Sequence, residues 1–227
     1  MSKNPPRTGR AASMSDLVVD IPMPAITDEQ WTAREAEMAA AAQAKARAEA
    51  ERRPAMLRAA GFPRRAVDWA FRADETAAAI TRVRAWDPRA ESVLVIAGSR
   101  GCGKTVAATW WAAQRIEHHP VPVFMRAATF AASSRYDRSS RDLLLDAPAL
   151  VFDDLGTEFL DSKGSFLVDL DELIDVYYGD YKPLLITTNA TLDEFRERVG
   201  ERITDRIREC GAFWSTRDDS RRGKTTP

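Results

Sequence analysis

The segment Val93-Leu-Val-Ile-Ala-Gly-Ser-Arg-Gly-Cys-Gly-Lys-Thr105 decides the fold of this chain. Its first five residues form an apolar run typical of a buried strand, and its last eight match the pattern G-x-x-x-x-G-K-[ST]. In such a loop the glycines let backbone N–H groups face a phosphate, and the start of the following helix adds positive potential. The segment therefore predicts a strand, a phosphate-binding loop and a helix in direct succession, and a nucleoside triphosphate as the ligand.

Every residue of this loop is a candidate contact to the nucleotide: Gly98, Ser99, Arg100, Gly101, Cys102, Gly103, Lys104 and Thr105. Lys104 is expected to reach the terminal phosphates of ATP, and the hydroxyl of Thr105 to bind Mg²⁺. Arg100 and Cys102 stand where small residues are more common, and loop chemistry alone gives no reason for either of them.

Composition sets the class of protein. The chain has 227 residues, of which 44% are hydrophobic, enough for one ordinary domain plus an extension. Its formal net charge is -1, from 33 basic and 34 acidic residues, so contact with nucleic acid would have to come from local patches. The two cysteines, Cys102 and Cys210, exclude a disulfide framework and a multi-cysteine zinc site. This cysteine usage favours a reduced, cytoplasmic setting. We expect no membrane partner, because no apolar stretch approaches the ~20 residues of a span.

Three segments are expected along the chain. Residues 1–26 are rich in proline, serine, arginine and glycine, a mixture that predicts a flexible arm. Residues 27–62 are predicted to be a helical segment that binds a partner, starting at Thr27 and Gln30 with the spacing of a capping box. Residues 63–227 are predicted to form the core domain.

The helical segment carries little apolar surface. Between residues 28 and 53 it is dominated by alanine, glutamate, arginine and glutamine, with large apolar side chains only at Trp31 and Met38. We expect it to stay solvated or to dock on another protein. Pro54 can begin a continuing helical segment that ends near Gly61.

The core alternates strands with helices, which indicates an α/β fold with a parallel five-stranded sheet between helices. Residues 67–86 are expected to form an edge segment followed by a helix. The strands are predicted at residues 93–97, 121–125, 150–153, 184–188 and 212–215.

The segment Ala149-Leu-Val-Phe-Asp-Asp154 is an apolar strand that ends in two carboxylates, as in a Walker B strand. Asp153 is predicted to hold Mg²⁺ through water, and Asp154, which points to the other side, to orient the attacking water. The alternative is a strand that ends in solvated acids. The phosphate-binding loop earlier in the chain favours the catalytic interpretation.

Asn189 follows the apolar strand that begins at Pro183, where its side-chain amide could lie near the terminal phosphate. The alternative is a helix cap, because a helical pattern follows and both Asn189 and Thr191 are competent N-cap residues. The residues alone leave both roles open.

These three elements, in this order, resemble the AAA+ ATPases, and among them the DnaC/IstB-like group of helicase loaders and transposition helpers. The resemblance covers roughly residues 60–222 and includes the motifs Asp153-Asp-Leu-Gly-Thr-Glu158, Thr187-Thr-Asn189 and Gly200-Glu-Arg-Ile-Thr-Asp-Arg-Ile207. It implies that residues 63–227 are an AAA+ ATPase domain with ATP and Mg²⁺ as cofactors. Little or no C-terminal lid is expected, because the chain ends before a helical one could form.

The resemblance also assigns roles to two arginines. Arg206 would be a finger that reaches the triphosphate of a neighbouring subunit, so that hydrolysis is weak alone and stimulated by assembly or DNA. Arg222 would be a sensor for the nucleotide, with a basic solvated tail as the alternative. Arg206 could instead form salt bridges at helical spacing with the acids of its own segment, Glu201, Asp205 and Glu209.

Three functions are compatible with this sequence. The first is an ATP-dependent, DnaC-like loader that binds a replicative helicase through its N-terminal segment and single-stranded DNA through its core. The second is an IstB-like helper that recruits a transposase. The third is a nucleotide-sensing adaptor with little turnover, consistent with Asp rather than Glu at position 154.

A cluster of cations with one aromatic residue is the candidate for DNA contact, with a helical face balanced by neighbouring acids as the alternative. Its members are Arg126, Arg135, Tyr136, Arg138 and Arg141.

Overall fold

The computed structural model describes residues 27–133, 138–156 and 165–216. The flexible arm predicted for residues 1–26 and the candidate sensor Arg222 lie outside the described residues.

The chain divides into two units, Met1–Ala46 and Arg47–Pro227. The described residues of the first unit are Thr27 and the N-terminal part of helix α1 (Asp28–Ala59). This helix begins at the predicted capping box, where Thr27 N–H donates to Gln30 Oε1 at 3.0 Å and Gln30 N–H donates to Thr27 Oγ1 at 3.3 Å. The helix is continuous through the proline that was expected to begin a new segment.

The second unit is built on a five-stranded sheet with the order β2-β3-β4-β1-β5, in which all neighbours are parallel. The predicted α/β fold with a parallel five-stranded sheet is thus confirmed. The strands are β1 (Val93–Ala97), β2 (Val123–Arg126), β3 (Leu150–Leu155), β4 (Leu184–Thr188) and β5 (Gly211–Ser215).

Helices cover both faces of this sheet, because both faces carry apolar side chains, as those of β1 illustrate. Leu94 and Ile96 point into one core cluster, and Val93 and Val95 into the other, as the two-residue period of a strand requires. The helices after α1 are α2 (Arg64–Ala70), α3 (Ala78–Ala85), α4 (Lys104–Arg115), α5 (Ala127–Ser133), α6 (Arg138–Asp146), α7 (Ser165–Gly179), α8 (Leu192–Val199) and α9 (Glu201–Cys210).

The expected edge segment at the start of residues 67–86 is instead helix α2. Its buried residues Ala66, Val67 and Ala70 have helical spacing, whereas Trp69 and Phe71 are exposed. Trp69 therefore lies on the outer face of α2, and Phe71 is its C-cap residue. In the described ranges, no helix is both long enough and apolar enough to cross a bilayer.

Candidate nucleotide-binding site

The site lies at the carboxyl ends of three adjacent strands. In the order β3-β4-β1, the ends of these strands carry the paired aspartates, the Thr-Thr-Asn segment and the phosphate-binding loop, respectively. Because neighbouring strands are parallel, their carboxyl ends meet at one edge of the sheet, where open α/β sheets bind ligands. The topology therefore brings together motifs that lie far apart in the sequence.

The loop between β1 and α4 depends on glycine at two places. Gly103, the N-cap of α4, has a φ of 97°, a backbone angle that residues other than glycine rarely adopt. Gly98 has no room for a side chain, because an added Cβ would lie 2.2 Å from Thr216 Cγ2. These glycines fix the turn that leads from the strand into the helix.

Lys104 is buried, and its ammonium group lies inside the loop. Nζ donates to Gly98 O at 2.8 Å, to Ser99 O at 2.9 Å and to Asn189 Oδ1 at 2.9 Å. These three acceptors satisfy the three N–H donors that a buried ammonium has to place. A positive charge is thus held where the loop and the end of β4 meet.

The two unusual loop residues occupy different environments. Cys102 is buried, with Sγ 3.8 Å from Lys104 Nζ. Its sulfur also lies 3.1 Å from the position that a Cβ on Gly98 would take, so the thiol fills the inside of the loop. Ser99 and Arg100 are exposed. Cys102 therefore has a packing role that the sequence did not reveal.

Two hydroxyl groups converge on the first aspartate of the Walker B strand. Thr105 Oγ1 donates to Asp153 Oδ1 at 2.8 Å, and Thr187 Oγ1 donates to the same oxygen at 2.7 Å. Burial raises the pKa of Asp153, while the hydrogen bonds from Thr187 and Thr105 act in the opposite direction. The structure thus places the two predicted Mg²⁺ ligands, Thr105 and Asp153, side by side.

This oxygen pair suits an Mg²⁺ ion that keeps part of its water shell. Thr105 Oγ1 can coordinate the ion directly, and Asp153 Oδ1, which lies 2.8 Å from that hydroxyl, can accept from a water of the ion's shell. In the described ranges there is no group of three or more His, Cys, Asp or Glu residues that could form a protein-only metal cage. Mg²⁺ held by one or two protein oxygens together with substrate phosphates matches this arrangement.

The second aspartate lies at an irregularity in the sheet. The pairing of β3 with β4 shifts register between Phe152 and Leu155, and Asp154 between them has a φ of 62°. Asn189 Nδ2 donates to Asp154 Oδ1 at 2.7 Å, while Asn189 Oδ1 accepts from Lys104. Asn189 therefore connects the lysine of the loop to the second carboxylate.

The structure separates the two roles that were open for Asn189. Thr191 is the N-cap of α8, where its Oγ1 accepts from Glu194 N–H at 3.3 Å. Thr191 N–H donates to Glu194 Oε2 at 2.8 Å, which completes a capping box. The side chain of Asn189 faces the site instead.

In the part of the chain that the structure describes, Arg206 forms ion pairs with helix α7 and not with the phosphate-binding loop. Its Nη1 donates to Asp171 Oδ1 at 2.6 Å, and its Nη2 lies 2.6 Å from Asp175 Oδ1. Both carboxylates belong to α7, whereas the expected alternative partners lay on the arginine's own helix. Arg202 contacts the same two carboxylates at 3.2 and 3.7 Å.

The candidate DNA-contact cluster is described only in part. Arg126 is exposed, and Arg141 pairs with Asp169 at 3.2 Å and with Glu172. Arg141 is thus bound to α7. Arg135 and Tyr136 lie outside the described residues, and the side chain of Arg138 does as well.

Sequence reasoning missed Thr187 as a residue of the site. Its hydroxyl contacts both Asp153 and the backbone of Asp154. The available signal was the pair of polar residues, Thr187 and Thr188, that ends a strand whose first three positions, Leu184 to Ile186, are apolar.

Known structures share this fold. No protein-family model and no curated protein matches the sequence. The crystal structure of the DnaC helicase loader is 24% identical, with 60% of this chain and 85% of that chain covered and a TM-score of 0.51. DnaI is 19% identical, with 63% and 80% covered and a TM-score of 0.52. A replication initiator, DnaA bound to AMPPCP and single-stranded DNA, is 19% identical, with 62% and 45% covered and a TM-score of 0.50. The expected resemblance is confirmed at the level of the fold.

Proposed function

We propose that this chain, which has the fold of the DnaC-like AAA+ ATPases, binds ATP with Mg²⁺ and hydrolyses it. The observation that carries the proposal is the convergence of Lys104, Asp153 and Asn189 on one edge of the sheet. Lys104 Nζ donates to Asn189 Oδ1 at 2.9 Å, and Thr105, the next residue in the chain, donates to Asp153 Oδ1 at 2.8 Å. A lysine, a hydroxyl and a carboxylate recur in sites that transfer phosphoryl groups, where catalysis consists of positioning and electrostatic stabilisation.

Each residue has a distinct role in this proposal. The loop backbone and Lys104 bind the phosphates, and Thr105 with Asp153 would hold Mg²⁺. When bound, Mg²⁺ neutralises charge that develops on the phosphate oxygens. Asp154 orients the attacking water, and Asn189 holds Asp154 in place through its amide at 2.7 Å. The test is hydrolysis of ATP by the purified chain, with and without Mg²⁺. Retention of full hydrolysis after removal of Mg²⁺ would contradict this assignment.

We further propose that the ATPase acts as a helicase loader in DNA replication. One structure that shares its fold is a helicase loader, and another is a replication initiator bound to single-stranded DNA. The predicted partner-binding segment, residues 27–62, supports this function because Trp31 and Met38 are 51% and 65% exposed there. An exposed tryptophan on a helix is a frequent anchor at protein interfaces.

A capture experiment tests the loader function. The full chain should retain the host's replicative helicase, and Trp31→Glu should release it, whereas Tyr181→Glu, at another exposed aromatic residue, should not. Retention of a transposase in place of the helicase would assign the chain to the transposition helpers.

One observation favours an adaptor with little turnover as a second candidate. Asp154 has a shorter side chain than a glutamate, and it is already held by Asn189. Its reach toward an attacking water is therefore limited. Comparison of ATP hydrolysis with and without single-stranded DNA separates the two candidates, because an adaptor stays slow in both conditions.

A further inference from the structure

Thr187 is a buried polar residue in the middle of the sheet, with 1% of its surface exposed. Its strand β4 lies between β3 and β1, and on the β1 side Thr187 pairs with Ile96, two residues before the phosphate-binding loop. Its Oγ1 donates to Asp153 Oδ1 at 2.7 Å and accepts from Asp154 N–H at 2.9 Å. One hydroxyl therefore contacts both residues of the carboxylate pair.

The contact with Asp154 falls where the backbone is strained. Asp154 has a φ of 62°, at the point where the pairing of β3 with β4 shifts register. This left-handed conformation is uncommon for residues other than glycine, although aspartate adopts it more often than most. The hydroxyl of Thr187 supports it by accepting the N–H of Asp154.

The contact with Asp153 sets the direction of its carboxylate. The hydroxyl of Thr187 has a single hydrogen. Its bond with Asp154 N–H uses a lone pair of the oxygen, so the hydrogen can be donated to Asp153. Oδ1 of Asp153 then receives two hydroxyl donors, one from Thr187 and one from Thr105. The carboxylate is aligned between the end of β4 and the start of α4.

We propose that Thr187 is a positioning residue that sets both carboxylates, directing Asp153 toward Mg²⁺ and Asp154 toward the attacking water. The inference rests on the proposed ATPase function. Partners of metal ligands of this kind affect metal affinity by about 10–100-fold when they are replaced. Thr187 thus acts through the two aspartates and needs no contact with the nucleotide.

Two substitutions at this position separate positioning from packing. Thr187→Val keeps the shape and removes the hydroxyl, whereas Thr187→Ser keeps the hydroxyl and removes a methyl group. Thr204→Val is the matched control, since Thr204 is also buried and its hydroxyl donates to Gly200 O, outside the site. For each full-length variant, the measurements are the Mg²⁺ concentration that half-saturates binding of mant-ATP, mant-ATP affinity in EDTA, kcat, KM and Tm.

Thr187→Val is expected to need about 10–100-fold more Mg²⁺ for half-saturation and to lose kcat, with KM for ATP at saturating Mg²⁺ and affinity in EDTA unchanged. Thr187→Ser is expected to restore the wild-type Mg²⁺ dependence. An unchanged Mg²⁺ titration for Thr187→Val, or an equal shift for Thr204→Val, overturns the inference. If the wild-type chain binds no mant-ATP under any condition, the proposed function fails and the inference falls with it.

Discussion

Lys104 Nζ donates a hydrogen bond to Asn189 Oδ1 across 2.9 Å. The same asparagine donates through Nδ2 to Asp154 Oδ1 at 2.7 Å, so a continuous path of hydrogen bonds runs from the loop after β1 to the end of β3. An asparagine can serve both neighbours because its amide carries an acceptor and two donors.

This path predicts that Asn189→Ala lowers kcat by roughly tenfold or more, because Asp154 loses its donor and any role of the amide near the phosphate is lost. The affinity for ATP should change little, since Lys104 keeps its two loop carbonyl acceptors. Steady-state hydrolysis at saturating Mg²⁺ measures both quantities. Thr191→Ala, two residues away, is the control: it should cost about 1 kcal/mol of stability through loss of the α8 cap and preserve kcat. Equal kcat for Asn189→Ala and the wild type would contradict the assignment.

The buried carboxylate predicts a conflict between stability and function at Asp153. Burial raises the pKa of Asp153 in the folded state above the usual 3.8, so the native state binds this proton more tightly than the unfolded state does. Stability therefore falls as the pH rises from the unfolded-state pKa through the folded-state pKa. Asp153→Asn, which cannot ionise, should therefore raise Tm at neutral pH.

The gain in Tm from Asp153→Asn should vanish in acid, where the wild-type carboxyl is protonated in both the folded and the unfolded state. Thermal unfolding followed between acidic and neutral pH measures the difference, and the variant should also lose its Mg²⁺ dependence of nucleotide binding. A lower Tm than that of the wild type at neutral pH would contradict the sign of this prediction.

The close approach at Gly98 predicts that the loop does not accept alanine. In Gly98→Ala the new Cβ would meet Thr216 Cγ2 at 2.2 Å, and relief of such overpacking costs about 1–3 kcal/mol. Gly179→Ala is the matched control, because a Cβ at that helical position would meet no atom within 4 Å beyond its chain neighbours and its own helix backbone, and alanine should stabilise it by up to about 1 kcal/mol. Chemical denaturation gives both values. Equal stabilities of the two variants would show that the loop relaxes freely.

Arg206 has a structural contribution that is separable from its proposed role in a neighbouring subunit. Arg206→Ala should cost about 1 kcal/mol of stability, because its two partly buried bonds to Asp171 and Asp175 are lost. Arg208→Ala, whose pair with Asp205 is exposed, should cost less. A double-mutant cycle between Arg206 and Asp171 measures the coupling, and a coupling near zero would show that the pair contributes no stability.

The role of Arg206 across a subunit interface predicts complementation. Arg206→Ala keeps an intact loop and Lys104→Ala keeps an intact arginine, so a mixture of the two inactive variants should recover stimulated hydrolysis. The hydrolysis rate against mixing ratio is the measurement. Loss of nucleotide binding in Arg206→Ala itself, or no recovery in the mixture, would remove the arginine from this role.

Local sequence was sufficient for most of the architecture. Five apolar runs predicted the five strands, and the glycine-rich segment at Gly98 placed the loop at the carboxyl end of β1. Helix α2 was misread, because Val67, Trp69 and Phe71 alternate as a strand would while the residues that pack are Ala66, Val67 and Ala70. Alanine gives too weak a hydrophobic signal to reveal that face.

The contacts within the site needed the tertiary structure. The partners of Arg206 lie 35 and 31 residues earlier on α7, beyond any helical spacing. Thr187 lies 34 residues after Asp153 in the sequence. The two side chains are in contact only because β3 and β4 are neighbours in the sheet. Strand order is a property of the whole domain, which is why these residues were not assigned from the sequence.

Isothermal titration of the full chain with ATP and Mg²⁺ measures whether Lys104 and its neighbours bind ATP. The wild type should bind, and Lys104→Ala should bind roughly 10–100-fold more weakly, the effect of losing a charged hydrogen bond to phosphate. Lys182→Ala, at a lysine that pairs with Asp180 and Leu145 O, should bind as the wild type does. Equal ATP affinity in the wild type and Lys104→Ala would contradict the account.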